Sequence, residues 1–323
     1  MAAPAISMAK PQRSFWLRLR TGDEVAHLIT FLFAACVLLV TVLLVWQLWL
    51  SSAPSRQHFG WAFLKGTNWD PVMDDFGALP FIYGTLLTSG IALLISIPLG
   101  VGAAIFLAEL APPRVANACT FLVELLAAVP SVIYGLLAIF TLIPLLREYV
   151  EPFLADTLGF LPIFKGPKLG FGMLAAGVIL AIMTFPYIIA ISREALLEVP
   201  RDQREAAMAL GATRWESTWQ VVVPYARLGI LGSVFLGLAR ALGETMAVTM
   251  VIGNSTDLNL SWFAAGYTIA AGIANQFTEA TGAIYLSSLV ELGLVLFLIT
   301  IIVNALARLL VIATSRKGTA HAA

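Results

Sequence analysis

The stretch from Glu194 to Pro224, EALLEVPRDQREAAMALGATRWESTWQVVVP, decides the fold. It carries Arg201, Asp202, Arg204, Glu205, Arg214 and Glu216 between two long apolar runs. Pro200 suits the start of a helix, where its missing N–H would have had no partner. From there Met208, Gly211, Trp215, Trp219 and Val222 recur at three- and four-residue spacing, which lays them on one helical face. The spacing predicts an amphipathic helix over Arg201–Gln220, lying between two membrane spans. Such a helix either docks on a soluble partner or lies on lipid. Its acidic residues would be repelled by anionic headgroups, which favours docking.

Composition supports the spans. The chain has 323 residues, 59% of them apolar and 12% charged, where a soluble domain has about 25% charged residues. This is an all-α, polytopic membrane protein. The formal net charge is zero, so no basic surface for nucleic acid is indicated. Cys36 and Cys119 lie in or beside apolar runs without metal-ligand spacing, and read as small core residues. His27, His58 and His321 do not cluster, and no metal is expected. There is no Gly-Lys dipeptide, hence no P-loop. ATP, if it drives this protein, binds to another chain, and no cofactor is expected on this one.

Six spans follow, each near or above the roughly 20 residues that cross a bilayer. They are Ala26–Leu50, Leu79–Leu110, Ala118–Leu146, Gly170–Ser192, Tyr225–Ile252 and Ala283–Ile312. The first exceeds the apolar region of a cleaved signal peptide, about 7–15 residues, and reads as a retained anchor. With the amino terminus inside, thirteen Lys and Arg fall on inner segments and five on outer ones. That imbalance puts both termini and the Glu194–Pro224 loop in the cytoplasm. The layout is a cytoplasmic segment 1–25, an anchor 26–50, a permease-like domain 79–312 containing the loop 194–224, and a cytoplasmic tail 313–323. On the outside, Gln57–Phe76 carries Phe59, Trp61, Phe63 and Trp69, as expected near a membrane interface. Glu148–Lys168 is an amphipathic outer loop. Ser261–Phe277 is apolar, but short and interrupted by Gly266 and Gly272, and reads as a re-entrant or interfacial segment at the external mouth.

One charge lies where charge is costly. Arg240, in LGLARALGETMAVTM, would cost roughly 2.5–3.5 kcal/mol at mid-bilayer. Glu244 stands four residues on, on the same face of a continuous helix. The pair is either a structural ion pair or a site on an anion path, since a guanidinium presents a fixed fork of donors suited to tetrahedral oxyanions. On the second reading Glu244 holds Arg240 in place. Glu124 and Glu291 are further intramembrane acids that could pair with Arg240 or with a partner chain, and Glu109 reads as a solvated helix end.

Several of these residues resemble a known family. Glu205-Ala206-Ala207, Gly211, Val221 and Val223-Pro224 are similar to the EAA loop of ABC-transporter permeases, with Val where Ile and Leu are usual. Arg240-Ala241-Leu242-Gly243-Glu244 followed by Thr245-Met246-Ala247 resembles the wording of phosphate permeases; sulfate and molybdate permeases continue differently. Val129–Leu136 and Thr268–Asn275 resemble two more phosphate-permease motifs. The long amino-terminal region favours the PstC-type over the PstA-type subunit. The resemblance implies a type I ABC importer permease (MetI-like) fold in a bacterial inner membrane. It implies a second, PstA-type permease, a PstB-type ATPase dimer docked at Glu205, Ala206, Ala207 and Gly211, and a PstS-type phosphate-binding protein. Arg240 and Glu244 would then line the path of inorganic phosphate, and this chain would not itself be an enzyme. The alternatives are a sulfate or molybdate permease, and a secondary phosphate transporter, which would leave the EAA-like loop unexplained.

Overall fold

The computed structural model describes residues 23–319, with side chains from 25 to 309. The expected amino-terminal segment therefore lies almost wholly outside the described residues, as do His321 and the end of the tail. The chain divides into two compact units, 1–50 and 51–323. In the first, a single helix, α1 (Asp23–Ser51), covers the stretch expected as an anchor. Among the described residues, six helices are long and apolar enough to cross a membrane, in agreement with the expected number.

The second unit is built around α5 (Met173–Leu197), whose side chains are mostly buried. It lies along α2 (Leu79–Ile105), and glycines permit the close approach. A Cβ at Gly177 would sit 2.5 Å from Ile91, and one at Gly100 would sit 2.7 Å from Ile188.

Two expected spans are not continuous helices. Where Ala118–Leu146 was expected, α3 (Pro113–Ala127) stops and a second helix, α4 (Ser131–Leu158), begins. Pro130 is the cause: it lacks an N–H and pushes the residue before it away from helical geometry. Helix α4 then runs past Leu146, so the first half of the expected outer loop Glu148–Lys168 is helical. Pro144 is accommodated by wider π turns at Ala138–Leu142 and Leu146–Val150.

Where Tyr225–Ile252 was expected, α7 (Arg214–Gly243) starts eleven residues earlier and ends at Gly243. Glu244 is extended (φ −70°, ψ 132°), and the short helix α8 (Met246–Val251) follows. The amphipathic helix expected over Arg201–Gln220 is likewise two pieces, α6 (Arg201–Ala209) and the first turns of α7. Gly211, at φ 92°, turns the chain between them, so Met208 and Trp215 do not share one helix.

The segments that join these helices are ordered against this frame. Strands β1 (Trp69–Asp70) and β2 (Asp75–Phe76) pair antiparallel, Trp69 opposite Phe76. The Phe76 ring stacks on Tyr285 at 5.1 Å, and the Trp69 Nε1–H donates to Gln276 Oε1 at 2.7 Å. Phe63 and Trp69, expected at a membrane interface, are thus core residues, whereas Trp61 is exposed. Ser261–Phe277 forms no seventh span. It is an extended segment closed by the short helix α9 (Ile269–Gln276). The Thr268 hydroxyl caps α9, and the Thr85 hydroxyl of α2 accepts the Ile269 N–H at 2.9 Å. Gly84 is required there, because a Cβ would lie 2.0 Å from the Tyr267 carbonyl oxygen. The last helix, α10, runs from Ala283 to Thr319, seven residues beyond the expected end of its span.

Candidate functional site

The two helix breaks meet. Helix α8 packs on the first turns of α4, close enough that a Cβ at Gly135 would sit 2.4 Å from the Met250 sulfur. The segment around Pro130 and the segment around Glu244, more than a hundred residues apart in the chain, therefore form one site. A helix that stops inside a membrane leaves carbonyls without partners, and these must be satisfied by neighbours. Two tyrosines do this for α3. The Tyr134 hydroxyl donates to the Leu126 carbonyl at 2.7 Å, and the Tyr187 hydroxyl donates to the Ala127 carbonyl at 3.0 Å.

Arg240 lies on this assembly. Its guanidinium carbon is 4.4 Å from the centre of the Tyr187 ring, a cation–π contact. Its Nε is buried and has no hydrogen-bond partner. Glu244 does not hold it. Because α7 ends at Gly243, the two side chains do not share a helical face, and the Glu244 carboxylate instead receives the Ala247 N–H at 3.4 Å, at the start of α8. Among the described residues no ion pair joins Arg240 to any acid. Glu124 is exposed on α3, Glu291 is buried with a hydrogen bond from Ser55, and Glu109 pairs elsewhere. A guanidinium offers a fixed fork of donors whose shape suits tetrahedral oxyanions.

The second group of expected site residues is on the loop. Glu205 and Ala206 are exposed on α6, and Ala207 is half-buried. With Gly211, Ala206 and Ala207 line an open cleft of about 570 Å³, bounded on its other side by Glu216 and Gln220 of α7. Leu210 projects beside it, 91% exposed. The start of α7 is fixed by a reciprocal cap, Thr213 Oγ1 accepting the Glu216 N–H and Glu216 accepting the Thr213 N–H.

Sequence reasoning missed Tyr187 and Tyr134. The signal was there: a tyrosine in an apolar span needs a partner for its hydroxyl, and Tyr187 follows Pro186. It also missed the partner of Glu109. The half-buried Arg204 of α6 reaches that carboxylate with its Nη2 at 2.7 Å and its Nε at 3.2 Å, so Glu109 is no solvated helix end.

Comparisons with known proteins place this geometry. Residues 96–316 match the family described as binding-protein-dependent transport system inner membrane component. A phosphate transport system permease protein PstC from Mesorhizobium japonicum is 46% identical over 90% of this chain and 90% of its own length. The protein of the same name from Xylella fastidiosa is 45% identical over 93% and 94%. Among solved structures, a bacterial ABC transporter involved in the import of alginate has a chain that aligns with 90% of this one, covering 98% of its own length, at 15% identity and a TM-score of 0.55; that likeness concerns the fold alone.

Proposed function

Since the chain belongs to the family of binding-protein-dependent transport system inner membrane components, we propose that it is the PstC-type permease subunit of an ATP-driven importer of inorganic phosphate. The observation that carries the proposal is the Arg240 guanidinium, stacked on Tyr187 where two broken helices meet, with its Nε unpartnered. Broken helices at a substrate site are a recurring way to bring polar backbone to an ion inside a membrane. Phosphate in transit is bound by Arg240 and passes Glu244, which lines the path at the break. Sequence identity to phosphate permeases supports this anion over sulfate or molybdate.

The chain supplies no covalent chemistry and binds no cofactor. Its partners are a second, PstA-type permease, a PstB-type ATPase dimer that binds ATP, and a PstS-type binding protein. Both termini and the 194–224 loop are cytoplasmic. The ATPase docks at Glu205, Ala206, Ala207 and Gly211, beside the exposed Leu210. Closure of the ATPase pair on ATP pushes α6 and turns the path outward to accept phosphate, and its relaxation returns the path inward, as a two-state element biased by a ligand.

The test is uptake of labelled phosphate by proteoliposomes holding all four kinds of subunit. ATP-dependent phosphate uptake that excess unlabelled sulfate leaves intact supports the assignment. Uptake of sulfate or molybdate instead of phosphate overturns it.

A further inference from the structure

Arg204 is not needed for docking in the reading above, yet its donors are well satisfied. Its Nε donates to both Glu109 oxygens at 3.2 Å and its Nη2 to Glu109 Oε1 at 2.7 Å. Nη2 also reaches the Leu196 carbonyl at 2.7 Å, and Nη1 reaches the Val199 carbonyl. Those carbonyls lie in the last turn of α5 and two residues beyond its end, where a helix has oxygens without helical partners and favours a cation. Glu109 belongs to the π turn Phe106–Leu110 that continues α2. Both side chains are largely shielded, at 18% and 11% exposure.

One side chain of α6 therefore grips the inner ends of both α2 and α5. Directly beneath it those ends are welded by apolar packing: Ala104 and Ile105 of α2, Leu196 and Val199 at the end of α5, and Val222 and Ala226 of α7 form one buried cluster. Onward to α7 the chain passes through the turn at Gly211, and α6 also packs on the first turns of α7. A turn bends under load; a forked, bidentate ion pair with two carbonyl contacts resists it.

We propose that the Arg204–Glu109 pair is the strut that transmits ATPase motion from α6 to α2 and α5, so that both residues position the path without touching phosphate. The proposal rests on the docking role of α6 stated above. It predicts that weakening the strut separates ATP hydrolysis from transport.

The experiment uses the complete importer in proteoliposomes and measures phosphate moved per ATP hydrolysed. Glu109→Gln keeps the size and the Arg204–carbonyl contacts but removes the charge. Arg204→Lys keeps the charge but loses the fork, and it is the second variant to measure where Glu109→Gln fails to assemble. The expected result is a ratio lowered about ten-fold in Glu109→Gln and less in Arg204→Lys, with ATP hydrolysis retained. A merely structural pair would lower both activities together through loss of complex and leave the ratio unchanged; that result in both variants overturns the strut alone. An unsubstituted complex that hydrolyses ATP but moves no phosphate overturns the importer reading, and the strut with it.

Discussion

Arg204 and Arg240 are the same side chain in opposite circumstances. Arg204 sits near the end of two helices and spends its donors on a carboxylate and two carbonyls. Arg240 sits at the meeting of two helix breaks, faces a tyrosine ring and leaves its Nε unpartnered. A fold minimising its own free energy would not choose the second arrangement, because an unsatisfied buried donor costs about 1–3 kcal/mol. The satisfied arginine joins α6 to Glu109 and to carbonyls at the end of α5; the other keeps an unpartnered donor, on which its proposed role rests.

Substitutions can break or sharpen that contrast. The largest stability effect belongs to Arg204→Met, which strands the Glu109 carboxylate in a shielded place at a cost of about 3 kcal/mol. Arg240→Met, by contrast, removes an unsatisfied group and leaves the thermal midpoint of the purified complex unchanged or raised. Equal losses of midpoint would erase the distinction. Next is Tyr187→Leu, which deletes both the ring under Arg240 and the hydroxyl on Ala127, about 2 kcal/mol together. Phosphate uptake falls roughly thirty-fold by that energy, while Tyr187→Phe keeps the ring and falls much less. Gly211→Ala forces an L-residue to φ 92° and costs about 1 kcal/mol. Among the described residues, none beyond its chain neighbours stands within 4 Å of the new Cβ, so the loss is in the turn itself and shows as weaker ATPase binding in a pull-down titration. Smallest is Glu244→Gln. The amide still accepts the Ala247 N–H, and uptake stays within about three-fold of the parent.

Much of the fold was legible because hydropathy and charge placement act locally. The number of spans, the polar loop between the fourth and fifth, and the non-spanning character of Ser261–Phe277 were all readable. The two breaks were harder. Pro130 announced one, but proline also occurs within intact helices, as Pro98 and Pro186 do here. The break after Gly243 is written in no single residue; it depends on α8 finding α4 across Gly135 and Met250. For that reason the spacing of Arg240 and Glu244 misled. Four residues define a shared face only where the helix continues, and here it does not. The loop misled in the same way: a three- and four-residue rhythm ran across Gly211, where the backbone turns. Glu109 was unreadable for another reason, because its partner lies 95 residues away and only the fold brings them together.

The most direct test of Arg240 as the anion contact is ATP-driven uptake of labelled phosphate by the complete importer carrying Arg240→Ala. Loss of charge-assisted hydrogen bonds worth about 3 kcal/mol predicts uptake down roughly a hundred-fold, with assembly and ATP hydrolysis retained. Uptake at the parental rate would return Arg240 to a structural role and leave the phosphate path to be sought elsewhere.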